Sequence, residues 1–168
     1  MFKIAKIEAC AVAIPLKMPI KMSGILIETC DNLVVKVTDS DGNIGWGEAS
    51  SAPTMTGETV EGLVAATKFM ADRLKGTEVR SNDELVNLIE PLMVANHSAK
   101  SAIDGALYDL IGKHLNKPMY EILGGKNREN APMFPDGRSS PDFSMASNEM
   151  SSINLPLSKY PLVLGGPH

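Results

Sequence analysis

Glycines and a carboxylate lie close together in residues 41–50, DGNIGWGEAS, the stretch whose residue types most readily suggest chemistry. A dinucleotide-binding loop needs its glycines between a strand and the start of a helix, where the helix N-terminus receives the pyrophosphate. Here the glycines straddle a turn and a strand, and no helical pattern begins before about Glu58. Glu48 lacks a visible partner for acid–base catalysis. The stretch therefore favours a hydrogen-bonded structural carboxylate over a nucleotide site or a catalytic acid.

The remaining candidate residues for chemistry are equally isolated in the sequence. His97 and His114 are too far apart to suggest metal-ligand spacing, so each is interpreted as a capping or surface residue. Asp109 and Lys113 form an i,i+4 pair on one predicted helix, typical of a surface ion pair that contributes roughly 0.3–0.5 kcal/mol. We therefore predict no catalytic residue and no metal ligand in this chain.

Composition narrows the class of protein and its partners. The 168 residues suit one ordinary domain, and a net charge of −4 without basic runs argues against a nucleic-acid partner. No stretch of about 18 apolar residues predicts a membrane span, so a cytoplasmic location is expected. Cys10 and Cys30 have no metal-binding spacing and are interpreted as reduced thiols in the core.

The elements that would position any site begin with strands. Residues 2–14 have a strand-like composition, residues 15–28 contain two prolines and predict a long irregular loop, and residues 33–38 and 44–49 flank an Asp-Gly turn as a hairpin. Alternation puts Ile44, Trp46 and Glu48 on one face of the last strand and small residues on the other. The small face, which contains Gly45 and Gly47, would allow another backbone to approach closely.

Helical patterns follow the strands. One amphipathic helix spans about residues 60–74 and a second follows a capping box at Ser81 and Glu84. Ser98 is predicted to cap a third helix, and Pro118 to start a short fourth. The order predicts an α+β fold, a three-stranded antiparallel meander followed by a helical bundle, over residues 1–130. Residues 131–168 lack a helical or strand period and predict an irregular tail, at most a remnant of a further strand.

Three stretches together resemble a known family: residues 14–22, IPLKMPIKM, residues 37–49, VTDSDGNIGWGEA, and residues 102–125, AIDGALYDLIGKHLNKPMYEILGG. They are similar to the N-terminal capping domain of the enolase superfamily, in its muconate-lactonizing enzyme and mandelate racemase branch. The likeness is collinear over about residues 3–133. It implies an isomerase or lyase in which this cap precedes a modified (β/α)₈ barrel.

In such enzymes, the resemblance implies, the barrel binds Mg²⁺ through three Asp or Glu side chains. A base, often in a Lys-x-Lys motif, removes a proton alpha to a substrate carboxylate. Two cap loops would read the distal part of that small-molecule substrate. By position, the residues implied to face the substrate are Ile20, Met22, Ile25, Ala52, Thr54 and Met55. Their character implies an apolar or uncharged distal group, although the same residues could instead pack the cap on its barrel.

The chain departs from the family after residue 130, because only 38 of its 168 residues remain and a barrel needs about 200 or more. No Lys-x-Lys occurs in the sequence. A truncated protein is therefore expected: a cap without its barrel, without a metal site of its own and without turnover alone. Two alternatives stay open. One is an interaction module that docks on a full-length paralogue or self-associates as a homo-oligomer, and the other is a fragment without function.

Overall fold

The computed structural model describes residues 2–22 and 24–125, and no side chain is described for Met22. Within this part, the protein has four strands and four α-helices, an α+β arrangement that confirms the predicted class. The strands are β1 (Phe2–Met22), β2 (Ile25–Asp39), β3 (Ile44–Ser50) and β4 (Glu78–Val79). The helices are α1 (Val60–Leu74), α2 (Leu85–Ile89), α3 (His97–Leu115) and α4 (Met119–Ile122). Two 3₁₀ turns, Asn82–Glu84 and Glu90–Leu92, flank α2. The predicted tail, residues 131–168, lies outside the described residues.

The sheet is antiparallel with the strand order β3-β2-β1-β4, so the predicted three-stranded meander is present and a two-residue fourth strand joins its edge. The prediction of an irregular loop over residues 15–28 is wrong. β1 continues through Pro15 and Pro19 to Met22, and β2 returns from Ile25, with the register interrupted between Pro15 and Ile20. Prolines are tolerated here because β4 pairs with β1 only at its start, which leaves a free edge for residues without an N–H.

The core lies between one face of the sheet and the helices α1, α2 and α3. Leu33, Val35 and Val37 alternate along β2 on this face and are fully buried. Their helical partners are the buried residues Leu63, Met70, Leu74, Leu85, Ala102, Ile103, Ala106, Leu107 and Leu110. Burial of each large apolar side chain contributes about 1.5–3 kcal/mol. The period-2 pattern of the strands therefore determines which side of the sheet the helices cover.

β3 contacts α3 backbone to backbone at its two glycines, as the bare face predicted. A Cβ on Gly45 would lie 2.1 Å from the carbonyl oxygen of Ala106, and one on Gly47 would lie 1.9 Å from that of Ala102. Gly105 of α3 is less constrained, because a Cβ there would first meet the Cα of Gly47, at 3.9 Å. The glycines of residues 41–50 thus position β3 against a helix and do not form a phosphate loop.

The helix starts are only partly as predicted. The capping box at Ser81 and Glu84 is confirmed, with the Ser81 N–H donating to Glu84 Oε1 at 3.0 Å. Thr59 caps α1 by accepting from the Gly62 N–H at 3.2 Å. The prediction that Ser98 caps α3 is wrong, because the helix starts at His97 after Asn96, and Ser98 lies in its first turn. Its hydroxyl instead donates to the carboxylate of Glu58, which lies in the segment between β3 and α1.

The two cysteines are free but do not lie in the core, which corrects that part of the prediction. They belong to the face of β1 and β2 opposite the helices, since Cys10 pairs with Val34 and Cys30 with Ile14. Both are half-buried, and burial raises the pKa of the Cys10 thiol. Within the described residues no helix is long and apolar enough to cross a membrane.

Candidate substrate-contacting surface

Residues 17–22 and 24–27 form the far end of the β1–β2 hairpin and are called the hairpin tip. Ile20 pairs with Ile27, and Met22 pairs with Ile25. Ile20 and Ile25 keep 41% and 43% of their surface exposed. Met18 and Leu26, which the sequence reasoning did not single out, are still more exposed, at 75% and 58%. The tip is therefore an ordered apolar surface on a strand pair, where the sequence predicted a loop.

Residues 51–59 form the second segment, called the β3–α1 loop. A single β-bridge joins Ala52 to Glu58, and the intervening chain turns back so that the Met55 and Thr56 N–H groups donate to the Ala52 carbonyl at 3.0 and 2.8 Å. Gly57 has φ +78°, the left-handed conformation that closes the turn without strain. Ala52 is half-buried, whereas Thr54 and Met55 are exposed, Met55 by 69%.

The strand register puts both segments at the same end of the sheet. Ser50, the last residue of β3, pairs with Asn32, and the Ser51 N–H donates to the Asp31 carbonyl at 2.9 Å. β2 extends six residues beyond Asp31, to Ile25 at the turn of the hairpin. At about 3.3 Å a residue, the hairpin projects roughly 20 Å past the start of the β3–α1 loop. The candidate residues are thus brought to one end of the domain in two groups.

A polar network holds the strand end from which the β3–α1 loop emerges. The buried Asn32 side chain accepts from Ser50 Oγ at 2.8 Å and from Cys30 Sγ at 3.0 Å. Its amide nitrogen donates to Glu48 Oε1. Glu48 is therefore a hydrogen-bonded structural carboxylate, as predicted. Asn32, which the sequence reasoning missed, is the residue that orients it.

Asp109 and Lys113 hold the free edge of β3, a larger role than the predicted surface ion pair. Asp109 Oδ2 accepts from the Trp46 N–H at 2.9 Å and from Lys113 Nζ at 2.7 Å. Lys113 Nζ also donates to the Ile44 carbonyl at 2.7 Å. These contacts give partners to backbone groups on the outer edge of the strand and attach β3 to α3. Trp46 itself is 42% exposed and lies beneath the Lys36 ammonium, 5.9 Å from its ring centroid.

A buried carboxylate stabilises the turn at the opposite end of β3. Asp39 accepts from the N–H groups of Asp41 and Asn43 at 2.9 and 2.8 Å, from the Asn43 amide at 2.9 Å, and contacts His114 Nε2 at 2.6 Å. The His114 ring also stacks on Phe2, so its prediction as a surface residue is wrong. Burial would raise the pKa of Asp39, but the bonds from Asn43, His114 and Asp41 outweigh it and leave that pKa below its ordinary value.

The described residues do not supply a metal site. No three His, Cys, Asp or Glu side chains in residues 2–22 and 24–125 converge as metal ligands would. His97 is exposed at the start of α3, far along the chain from the buried contact of His114 with Asp39. The side chains of these described residues therefore do not form a set that fits a magnesium ion, and the two candidate segments present mainly apolar side chains.

A meander backed by helices, with a projecting hairpin and a short loop at one end, defines an enolase-type N-terminal capping domain. The profile of the family "Mandelate racemase / muconate lactonizing enzyme, N-terminal domain" matches residues 4–124. The chain belongs to this family.

Individual relatives agree with the assignment. The chain is 32% identical to the L-Ala-D/L-Glu epimerase of Bacillus subtilis, over 73% of the chain and 34% of the relative. It is 34% identical to a chloromuconate cycloisomerase of Pseudomonas putida, over 78% of the chain and 36% of the relative. The crystal structure of a dipeptide epimerase from Cytophaga hutchinsonii, in complex with Mg and the dipeptide D-Ala-L-Val, superposes with a TM-score of 0.71 at 31% identity, covering 77% of this chain and 35% of that one. The chain spans about a third of the length of the curated relatives it matches.

Proposed function

We propose that this domain supplies the surface that contacts and recognises the distal part of the substrate in an enzyme of the mandelate racemase and muconate lactonizing type. The observation that carries the proposal is the exposure of Ile20, Ile25 and Met55 on two segments that project from one end of a well-packed sheet. Soluble domains seldom leave several large apolar side chains together in water unless they contact a partner or ligand. Ala52 and Thr54 belong to the second segment, and Met22 belongs to the first, where its backbone pairs with that of Ile25; the proposal includes these three residues.

The proposed substrate is a small carboxylate with an apolar or uncharged distal group. Apolar side chains gain free energy from contact with apolar ligand atoms, whereas they offer no partner to a buried charge. Among the relatives, the Cytophaga hutchinsonii epimerase in complex with D-Ala-L-Val and a hydrophobic dipeptide epimerase of Enterococcus faecalis have names that agree with this class. The L-Ala-D/L-Glu epimerase and the chloromuconate cycloisomerase are named for substrates with a second carboxylate, so the apolar preference rests on the side chains of this chain. The cap would select the substrate by its distal end.

The chemical step is assigned to the rest of such an enzyme. In the complete family, Mg²⁺ supplies stabilisation of the enolate that forms when a proton alpha to the carboxylate is removed. This chain's described residues do not form a metal site. They would therefore bind and orient the substrate, and exclude water from it, without taking part in proton transfer. We propose that the 168 residues alone have no turnover.

An activity assay tests directly the proposal that the chain alone has no turnover. The purified chain is incubated with Mg²⁺ and L-Ala-L-Glu, muconate or a sugar acid, and the expected rate equals the uncatalysed background. A rate above background that EDTA abolishes would contradict the proposal.

Reconstitution with a barrel tests the proposed role of the domain in substrate recognition. The chain is co-expressed with the barrel portion of the Bacillus subtilis epimerase, and Mg²⁺-dependent epimerisation of dipeptides is measured. Met55→Ser and Ile25→Ser are expected to raise KM for apolar dipeptides several-fold with little change in kcat, because the lost contacts lie far from the reacting carbon. An assembled complex that turns over dipeptides with unchanged KM in both variants would count against a role in substrate recognition.

The same exposed side chains also suit an interaction module that docks on a full-length paralogue or on a second copy. Size-exclusion chromatography with light scattering separates the two functions. A monomer at 18.0 kDa agrees with the cap, whereas a dimer whose dissociation is promoted by Leu26→Ser would favour the module.

A further inference from the structure

Glu58 links two elements that are distant in sequence. Its half-buried carboxylate accepts from the Ser98 N–H at 3.3 Å, and its other oxygen accepts from the Ser98 hydroxyl. Its backbone carbonyl accepts from the Ala52 N–H at 3.1 Å and closes the β3–α1 loop. One residue therefore joins the base of this loop to the first turn of α3.

The N-terminus of α3 depends on this contact. Ala95 and Asn96, which precede the helix, both have left-handed backbones with φ of 56° and 55°. The Asn96 side chain makes no capping bond and donates instead to the Val94 carbonyl at 3.0 Å. The first N–H groups of a helix need acceptors from elsewhere, and a carboxylate there is favoured by the helix dipole. Glu58 supplies that carboxylate from 40 residues away.

The loop has few other attachments to the domain. At its two ends the Ser51 N–H donates to the Asp31 carbonyl and Thr59 caps α1. Between these ends, the other hydrogen bonds of the described loop are internal: two N–H groups donate to the Ala52 carbonyl, and Thr56 Oγ1 donates to the same carbonyl at 3.2 Å and accepts from the Glu58 N–H at 3.4 Å. Internal bonds maintain the shape of a loop but do not orient it relative to the sheet and helices. Between the ends of the described loop, the Glu58 carboxylate makes the hydrogen bonds that join it to α3.

We propose that Glu58 is the positioning residue of the β3–α1 loop, and that its carboxylate, held by the first turn of α3, sets where Thr54 and Met55 lie. The substrate-directed part of this inference rests on the proposed function. The structural part does not. A carboxamide at this position keeps an acceptor for Ser98 but loses the charge that the helix N-terminus favours, so Glu58→Gln should have an intermediate effect between wild type and Glu58→Ala.

Amide hydrogen exchange on the 168-residue chain tests the structural part. Glu58→Ala is expected to accelerate exchange at Ala52, Met55 and Thr56 about tenfold, Glu58→Gln less, and Ser98→Ala by an amount similar to Glu58→Gln. Thr59→Ala is the matched control, because it removes the adjacent cap of α1 and leaves the Glu58 carboxylate in place. Equal acceleration of the loop in Thr59→Ala, or no acceleration in Glu58→Ala, would overturn the proposal. If Glu58→Ala does not fold, the Glu58→Gln and Ser98→Ala variants decide in the same way.

Kinetics of the reconstituted complex with the Bacillus subtilis barrel tests the substrate-directed part. Glu58→Gln is expected to raise KM for apolar dipeptides about threefold to tenfold with kcat nearly unchanged, since a displaced loop weakens distal contacts only. If Glu58 had only a structural role, Glu58→Gln would change kcat and KM no more than Thr59→Ala does. That result would refute the positioning role in recognition. Because exchange is measured without barrel or substrate, failure of the proposed function and failure of the positioning role give different patterns of results.

Discussion

The β1–β2 hairpin has two halves that differ in what surrounds them. In the half nearer β3, Leu33, Val35 and Val37 are fully buried against the helices. In the other half, the hairpin tip, apolar side chains such as Leu26 remain exposed. The same two strands continue through both halves, and the helices pack against the half that contains Leu33, Val35 and Val37. Hydrophobic strand residues therefore stabilise this fold mainly in the helix-backed half, and at the tip they remain exposed to solvent.

The largest expected effect is a substitution in the helix-backed half that separates β3 from α3. Gly47→Ala would put a methyl group 1.9 Å from the Ala102 carbonyl oxygen, so strand or helix must move. We expect a loss on the order of 3 kcal/mol or more in the free energy of unfolding. Urea denaturation followed by circular dichroism measures it.

Gly105→Ala is the control for that substitution. It adds a methyl group on the other side of the same contact, where the nearest atom is 3.9 Å away. Alanine is a better helix former than glycine, and a gain of about 0.5–1 kcal/mol is expected. A destabilised Gly105→Ala together with a tolerated Gly47→Ala would contradict the proposed packing.

A second substitution removes the buried carboxylate that holds the β2–β3 turn. Asp39→Asn is expected to cost about 2 kcal/mol at pH 7, because hydrogen bonds to a charged acceptor contribute about 1.5–3 kcal/mol. The lowered pKa of Asp39 means that its contribution is present above the ordinary aspartate pKa and is lost as pH falls through the folded-state value. Thermal melts between pH 7 and pH 3 should show a smaller fall in Tm for Asp39→Asn than for wild type. Parallel curves for the two proteins would refute this role.

A third substitution tests the attachment of the β3 edge. Asp109→Ala removes the acceptor of the Trp46 N–H and one of the two acceptors of Lys113, and we expect a loss of about 1–2 kcal/mol in the free energy of unfolding. The exposed Arg80–Glu78 pair supplies the comparison, since Glu78→Ala should change stability by less than about 0.5 kcal/mol. Denaturation midpoints of the two variants measure the difference. If the two losses are equal, Asp109 and Lys113 form only a surface ion pair.

The smallest effect is expected at the hairpin tip. Leu26→Ser and Met18→Ser remove apolar groups that are already in water, so the free energy of unfolding should change by less than about 0.5 kcal/mol. Binding of a hydrophobic dye to the folded protein should fall in the double variant. A loss of stability comparable to that of the core variants would show that the tip packs against the rest of the domain.

Local patterns in the sequence predicted most of the fold. Alternation in residues 44–49 identified the two faces of β3, and the apolar period of residues 60–74 identified α1 and its bounds. Pro15 and Pro19 led to the wrong prediction of a loop over residues 15–28. Prolines usually interrupt a paired strand, but they are acceptable here because β1 has a free edge in this part. Such an edge is a property of the sheet order, which no local pattern contains.

The long-range contacts at the two ends of β3, one beside the candidate site and one at the β2–β3 turn, could not be predicted from sequence patterns. Glu58 and Ser98 are 40 residues apart, and Asp39 and His114 are 75 apart. Each partner taken alone has an ordinary local interpretation, as a helix-flanking acid, a cap, a turn aspartate or a surface histidine. Only the path of α3 back across the sheet brings these side chains together. Composition alone marked the two candidate segments as loops, and the family resemblance supplied their substrate-facing role. Their strand pairing and their position at one end of the sheet became visible only in three dimensions.

The glycine contact between β3 and α3 also affects how the sheet can assemble. Successive strand residues face opposite sides, so a slip of one residue in β3 would turn Trp46 or Glu48 toward α3 in place of a glycine. At separations below 3 Å from a helix carbonyl, neither side chain could be accommodated. A β3 strand misaligned by one residue therefore could not pack against α3 as it does in this structure. Close contact with the α3 backbone therefore favours one register of β3, and this register sets the point where the β3–α1 loop emerges.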